Sequence, residues 1–208
     1  MKTGINFKIR FVAPLLCCTL FSFSQKQIDP DKIVAFNVTV NFDDYTVKTQ
    51  MLKDPQKVKI DNELIYLWYN SNKIMETRGG YDGKLLHGYY KSFYPNNQLR
   101  ESGQINYGTK HKEWRYWYSN GTLKEVSNWK NGRKNGKYEL YNDYGRLMGK
   151  GYFKNDLLHG KFYTYDNFGH ITNTRKYKNG IEIVPDPEKQ RSKGIFKRKK
   201  KSSNTDSK

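Results

Sequence analysis

The central part of this 208-residue chain repeats itself every 24 residues without a gap. The tetrapeptide Leu-Leu-His-Gly at 85–88 returns at 157–160, and two intermediate copies divide the interval into three equal parts. Equivalent positions then align in columns, which are Tyr90, Trp114, Tyr138 and Phe162; Phe93, Trp117, Tyr141 and Tyr165; and Asn97, Gly121, Gly145 and Gly169. A fixed period of this length predicts a repeat architecture, in which each unit buries its apolar side chains against its neighbours.

Each unit has the pattern of a β-hairpin. In one copy a strand at 137–141 leads into the turn sequence Asn-Asp-Tyr-Gly at 142–145, and the return strand at 147–153 alternates between two sets of side chains. Glycine suits the positive φ of a tight turn. Lys-Asn-Gly at 130–132 and at 178–180 predicts a second turn, which joins one hairpin to the next.

Four clear copies and one earlier, degenerate copy make five units between residues 61 and 184. The degenerate copy places apolar side chains in the same columns, at Tyr66, Tyr69, Met75 and Tyr81. We therefore predict an all-β fold, an elongated single sheet of stacked β-hairpins. The composition agrees, because 17 tyrosines, 17 glycines and an aromatic content of 15% suit strands and turns better than a helical bundle or a disordered chain.

Residues 1–24 have the layout of a cleavable secretory signal. Cations near the start precede an apolar run at 11–23, and small residues near the end predict cleavage before Gln25. We therefore expect an exported protein, in the periplasm, the cell envelope or the extracellular space. Cleavage would remove Cys17 and Cys18, so the mature chain would hold no disulfide and no thiolate metal site. Acylation of one of these cysteines is the alternative.

Two further segments flank the repeats. Residues 25–60 form a predicted N-terminal β cap, because apolar and polar side chains alternate from 36 to 42. Residues 185–208 contain prolines at their start and a run of five cations at 197–201, which predicts a disordered basic tail. The formal net charge of +18 is therefore uneven, with +3 in the signal, +7 in residues 188–208 and +8 in the part between them.

The sequence contains no catalytic, nucleotide-binding or metal-binding motif. His87 and His159 share one repeat column and Glu101 and Glu125 share another, so the period explains their spacing. We expect no metal site, no cofactor and no catalytic residue. A carbohydrate-acting enzyme, in which paired carboxylates such as Glu101 and Glu125 would serve as acid and base, stays as an alternative.

The predicted binding residues are cations on the outward face of the return strands and tyrosines outside the core columns. They are Arg100, Lys124, Lys150, Lys176, Tyr116, Tyr118 and Tyr152. Clustered cations favour an anionic partner, and exposed tyrosine contributes contact area and a hydroxyl group to recognition surfaces. We expect the partner to be another protein or an anionic envelope surface rather than nucleic acid, and we expect no transmembrane span in the mature chain.

The repeat resembles the MORN repeat, and more closely its bacterial variant in antitoxin-like proteins of the YwqK type. The residues that carry the resemblance are Gly136, Tyr138, Tyr141, Gly145 and Leu147, with the matching columns of the other units. The resemblance implies either a scaffold or membrane-associated binding module, or an antitoxin or immunity protein that sequesters a toxin. An antitoxin of that kind is expected in the cytoplasm, whereas the signal predicts export, so we favour the non-catalytic scaffold.

Overall fold

A computed structural model describes residues 35–53 and 58–184 of the chain. Within these ranges the protein is all-β, with fourteen strands in one open antiparallel sheet and no helix. The predicted fold class is therefore confirmed. The predicted signal at 1–24, the first residues of the predicted cap and the predicted basic tail at 185–208 lie outside the described residues.

The strands follow one another in short hairpins. They are β1 (Ala35–Asn41), β2 (Thr46–Leu52), β3 (Ile65–Asn70), β4 (Lys73–Arg78), β5 (Lys84–Phe93), β6 (Leu99–Asn106), β7 (Thr109–Trp117), β8 (Leu123–Lys130), β9 (Arg133–Tyr141), β10 (Leu147–Lys154), β11 (Leu157–Leu158), β12 (Gly160–Tyr165), β13 (Ile171–Lys178) and β14 (Ile181–Glu182). The main path through the sheet is β1-β2-β5-β6-β7-β8-β9-β10-β12-β13-β14. β11 pairs with β10, and the β3–β4 hairpin lies off this path.

Equivalent turns close the four hairpins between β5 and β13. In each turn a backbone N–H donates to the carbonyl four residues later at 2.9 to 3.0 Å, and the donors are Tyr94, Tyr118, Asn142 and Asp166. Each hairpin also has a one-residue bulge after the turn, so that one residue of the return strand has no partner on the first strand. These bulge residues are Arg100, Lys124, Met148 and Thr172. A bulge increases the local twist and changes the direction of its side chain.

The N-terminal β1–β2 hairpin, which belongs to the predicted cap, pairs with the second repeat and not with the first. β2 pairs with β5, and Thr49 lies opposite Tyr90. The first repeat, β3–β4, pairs only with the start of β5. The reason is the burial of β3, because Tyr66, Leu67 and Trp68 are consecutive and all three are buried. A strand with one face in solvent would expose alternate side chains, so β3 needs protein on both sides.

We call the face of the sheet that carries Tyr90, Trp114, Tyr138 and Phe162 the inner face, and the opposite face the outer face. The β3–β4 hairpin packs against the inner face. The backbone N–H of Leu67 donates to the carbonyl of Gly108 at 2.7 Å, and Arg133 forms an ion pair with Asp61 at 3.2 Å. The main buried cluster between the hairpin and the sheet contains Val47, Leu67, Leu86, Tyr90, Ile105 and Trp114.

On the inner face, rings of the Tyr90 column alternate across the sheet with small residues of the return strands. The small residues are Gly103, Ser127 and Gly151. A Cβ at Gly103 would overlap the Trp114 ring, and a Cβ at Gly151 would come within 2.5 Å of the Phe162 ring. The small residues therefore allow each ring to lie over the backbone of the neighbouring strand.

Burial on the inner face decreases towards the C-terminal strands. Trp114 has an exposed fraction of 0%, Tyr138 and Phe162 are partly exposed, and almost every residue of β13 is exposed. The decrease follows the extent of the β3–β4 hairpin, whose flanking residue Leu64 reaches Gly132 at the start of β9. In the described part of the chain, the last strands therefore form a single layer with two solvent-facing sides.

Gly103→Ala should destabilise the fold, because the added Cβ would overlap the buried Trp114 ring. Overpacking of this kind costs about 1–3 kcal/mol, and we expect the free energy of unfolding in urea to fall by that amount. Gly80→Ala is the control, since its Cβ meets open space and should change the free energy by less than about 0.5 kcal/mol. Equal losses in the two variants would contradict the packing argument.

Lys112 has a backbone conformation that suits glycine. Its φ is 59°, and the equivalent positions in the other repeats are Gly88, Gly136 and Gly160, all with positive φ. Lys112→Gly should raise the free energy of unfolding by about 1 kcal/mol, because a side chain in this region costs about 1–2 kcal/mol. Lys91→Gly, at an exposed and ordinary position of β5, should lower it by about 0.5–1 kcal/mol. Urea denaturation measures both, and a loss in Lys112→Gly would refute the assignment of strain.

Candidate binding surface

The seven predicted binding residues do not lie on one face of the sheet. Tyr116 lies on the inner face, with its ring centroid 6.2 Å from that of Trp114. Lys150, Tyr152 and Lys176 lie on the outer face, because they alternate with inner-face residues along β10 and β13. Of the seven predicted residues, Lys150, Tyr152 and Lys176 share the outer surface of the last hairpins. Their role in binding stays a prediction.

The bulges determine where Arg100 and Lys124 lie. Both are the extra residue of a bulge, so the simple alternation of a strand does not apply to them. The guanidinium carbon of Arg100 lies 4.1 Å from the ring centroid of Tyr45, which packs against the main buried cluster. Lys124 Nζ lies 5.4 Å from the ring centroid of Tyr118. The four predicted cations of the return strands therefore do not form one continuous row.

Two of the predicted tyrosines use their hydroxyl groups within the protein. Tyr118 donates to the carbonyl of Tyr141 in the next hairpin at 3.0 Å. The hydroxyl of Tyr116 accepts from Lys110 Nζ at 2.9 Å, and burial raises the pKa of Tyr116. The Tyr118 bond joins two hairpins, the Tyr116 bond lies within β7, and both hydroxyl groups already have partners.

Glu101 and Glu125, the carboxylates of the enzyme alternative, each lie beside a lysine of the inner face. Lys110 Nζ is 3.8 Å from the Glu101 carboxylate, and Lys134 Nζ is 3.0 Å from the Glu125 carboxylate. Lys110 Nζ also lies 4.1 Å from the ring centroid of Trp114. Burial lowers the pKa of Lys110, while the nearby Glu101 charge opposes that change. These pairs balance charge within the partly buried inner face.

Six side chains form a patch on the outer face of β9, β10, β12 and β13. They are Lys137, Lys150, Tyr152, Lys161, Tyr163 and Lys176, and we call them the basic patch. Three cross-strand pairs place them side by side, namely Lys137 with Tyr152, Lys150 with Tyr163, and Lys161 with Lys176. Because neighbouring strands are about 4.8 Å apart, the patch is continuous across the four strands.

Three members of the basic patch are absent from the sequence prediction. Lys137 and Lys161 lie one period apart in the first strands of their hairpins, and Tyr163 lies opposite Lys150. The prediction considers cations of the return strands, although both strands of a hairpin present side chains to the outer face. The shared column of Lys137 and Lys161 is the sequence signal that could have identified two of the three.

The basic patch is poor in carboxylates. β9, β10, β12 and β13 contain nine lysines and arginines and one acidic residue, Glu139. The Glu139 carboxylate lies 2.9 Å from Lys137 Nζ and 3.9 Å from Lys150 Nζ. Lys161 and Lys176 lie directly opposite each other and form no ion pair with any residue of the described ranges. Like charges in this arrangement destabilise a sheet, so a bound anion would relieve their repulsion.

The histidines do not converge on one site. His87 Nδ1 accepts a hydrogen bond from the backbone N–H of Tyr107 at 3.3 Å, and the buried Nδ1 atoms of His111 and His159 have no hydrogen-bond partner in the described structure. Across residues 35–53 and 58–184, no group of three or more His, Cys, Asp or Glu side chains could hold a metal ion.

No helix in those ranges has the length and apolar character that a membrane span requires.

Acid should destabilise the fold through His87. Partial burial lowers its pKa below the ordinary value of 6.5, and its Nδ1 must be unprotonated to accept the Tyr107 N–H. The unfolded chain then binds more protons, so this stabilisation is complete above about pH 6.5 and is lost as the pH falls through the lower pKa of the folded state.

Urea denaturation at about pH 7.5 and about pH 5 measures this loss. We expect a smaller loss on acidification in His87→Gln than in the native chain, because the glutamine oxygen accepts the same hydrogen bond without titrating. His170→Gln changes an exposed histidine whose ring lies 3.2 Å from the Asp166 carboxylate, and because exposed pairs contribute little, this variant should keep most of the loss. An unaltered loss in His87→Gln would show that other groups cause the acid sensitivity.

Comparison with known proteins assigns no family to the chain. It matches no protein-family model and no curated protein. The resemblance to MORN repeats therefore rests on the residue columns of the sequence, and a function has to be inferred from the chemistry of the sheet surface.

Proposed function

We propose that the chain is a non-catalytic scaffold whose basic patch binds an acidic surface of another protein. The observation that carries the proposal is the facing pair Lys161 and Lys176, which have no carboxylate partner in the described structure and lie in strands with nine cations and one acid. An acidic partner would supply the missing counter-charge. Complementary charge of this kind also accelerates the encounter of two proteins.

The tyrosines of the basic patch favour a protein partner over a purely anionic surface. Tyr152 has an exposed fraction of 48% and lies opposite Lys137, and Tyr163 lies opposite Lys150. A tyrosine side chain adds a large contact area with little conformational entropy to lose, and its hydroxyl group can donate or accept a hydrogen bond. Alternating lysines and tyrosines therefore fit a surface that contains both acidic and apolar groups.

The sheet holds the basic patch on paired strands rather than on loops. β10 pairs with β9 on one side and with β12 on the other, and β12 continues into β13. The Phe162 ring packs over Gly149 and Gly151 on the opposite side of these strands. Binding would therefore order lysine side chains without reorganising the backbone, which limits the entropy lost on association.

Export and a MORN-like scaffold role agree with this proposal and stay predictions from the sequence. An exported scaffold would meet its partner in the periplasm, the cell envelope or the extracellular space. The basic patch does not depend on the predicted tail at 185–208, because all six of its residues lie in the described strands.

Neutralising the facing lysines should weaken binding to an acidic polypeptide. We expect the double variant Lys161→Gln/Lys176→Gln to raise the Kd for fluorescent poly-glutamate about tenfold, since two exposed ionic contacts contribute about 0.5–1 kcal/mol each. Lys73→Gln/Lys84→Gln removes the same charge from exposed positions of β4 and β5, where neither lysine lies opposite another cation, and should change the Kd by less than about twofold.

Fluorescence anisotropy at fixed ionic strength gives both dissociation constants, and the predicted tail is present in every variant. Equal weakening in the two double variants would mean that net charge alone drives binding. An unchanged Kd in Lys161→Gln/Lys176→Gln would remove the basic patch as the site.

A further inference from the structure

β13 has a partly open edge at the end of the sheet. One edge of β13 pairs with β12 from Ile171 to Tyr177. On the other edge, β14 pairs only with Tyr177 and Lys178, and the N–H of Ile183 donates to the carbonyl of Lys176 at 2.7 Å. The segment 171–175 therefore has no strand on its outward edge among the residues that the structure describes.

The register of β14 shows which residue would come next along this edge. Ile181 lies opposite Lys178, and Glu182 lies opposite Tyr177. In the same register the residue opposite Thr174 would be Pro185, which lies outside the described residues and whose sequence identity excludes a backbone N–H donor. A proline in this register could not donate a backbone hydrogen bond to the Thr174 carbonyl. β14 itself ends at Glu182.

The open segment presents backbone groups that can pair with another strand. The Lys176 carbonyl accepts from the N–H of Ile183, which follows β14, so the backbone N–H and C=O of Lys176 point away from β12. Thr174 is two residues earlier on the same side of the bulge, and its N–H and C=O point in the same outward direction. A row of unpaired backbone N–H and C=O groups is a template for an added strand.

The side chains around the open edge select an acidic segment. Lys176 and Lys161 lie on the outer face and have no carboxylate partner among residues 35–53 and 58–184, and Arg175 lies on the inner face. β14 already shows the preferred chemistry, because its Glu182 carboxylate lies 3.8 Å from the Arg175 guanidinium. A second copy of β13 would instead bring the same cations together, which opposes pairing between two copies.

We propose that the open edge of β13, residues 171–175, binds an extended acidic segment of a partner protein as an additional β-strand. This inference rests on the proposed function, since the basic patch supplies the cations beside the added strand. Backbone hydrogen bonds would give affinity that does not depend on sequence, and Lys161, Lys176 and Arg175 would select acidic side chains on the two faces. Ile171, with an exposed fraction of 55%, would contact an apolar side chain of the segment.

The test compares two substitutions of one outward-facing residue in the full chain. Thr174→Pro removes the outward N–H and leaves the hydrogen bonds to β12 in place, while Thr174→Val keeps the N–H and has a similar size. The probe is a labelled, terminally blocked peptide of about eight residues that alternates Glu and Val, which is a typical strand length. We expect Thr174→Pro to raise the Kd of this peptide at least about tenfold relative to Thr174→Val, corresponding to about 1.4 kcal/mol.

A second arm leaves the protein unaltered, in case Thr174→Pro does not fold. The same peptide with N-methyl groups on alternate residues cannot donate its backbone hydrogen bonds along one edge, and its binding to the native chain should weaken by a similar factor. Equal affinity of the native chain for the methylated and unmethylated peptides would overturn the strand addition.

The lysine variants separate this inference from the proposed function. If Lys161→Gln/Lys176→Gln weakens peptide binding while Thr174→Pro and the methylated peptide do not, the basic patch stands and the edge proposal fails. If none of these changes weakens binding, both fail. Sedimentation of the chain alone tests whether a second copy occupies the edge. If the native chain forms a dimer and Thr174→Pro abolishes it, the edge binds a second copy, and the proposal of an acidic partner segment is wrong.

Discussion

The packing of a large ring over a small residue on the next strand is the interaction on which this sheet depends. Trp114 lies over Gly103 and Phe162 lies over Gly151, so each repeat buries aromatic surface against its neighbour. The sheet therefore does not need a second layer over its full length. Hydrogen bonds between hairpins add to this contact, as in the bond from the Tyr118 hydroxyl to the Tyr141 carbonyl. A single layer is stable in this way only where the small positions stay small.

This use of the inner face leaves the outer face available for recognition. The inner face holds rings, paired carboxylates and the partly buried Lys110 and Lys134, all with partners within the fold. The outer face of the last hairpins carries the basic patch, where Lys161 and Lys176 repel each other across adjacent strands. The proposed partner contacts therefore use the charges and the strand edge that the packing of the repeats leaves unsatisfied.

Much of the fold and part of the candidate site follow from local pattern. The period of two along β10 correctly places Lys150 and Tyr152 on one face, and the turn sequences correctly predict the hairpins from β5 to β13. The same pattern misplaces Arg100, because a bulge inserts one residue and directs that side chain towards Tyr45. It also omits Lys161, whose role depends on the residue that lies opposite it across the strand pair.

The 24-residue columns in the sequence are sufficient to specify hairpins, their order along the chain and the side chains that can pack between them, because these features depend on neighbours within one or two repeats. Pairing of β2 with β5 and the placement of β3–β4 over the inner face depend on contacts between segments distant in sequence. Three consecutive buried residues in β3 require cover on both sides, and only the assembled sheet offers it. Within the described residues, the tertiary arrangement therefore decides which repeats are covered and which strands are exposed.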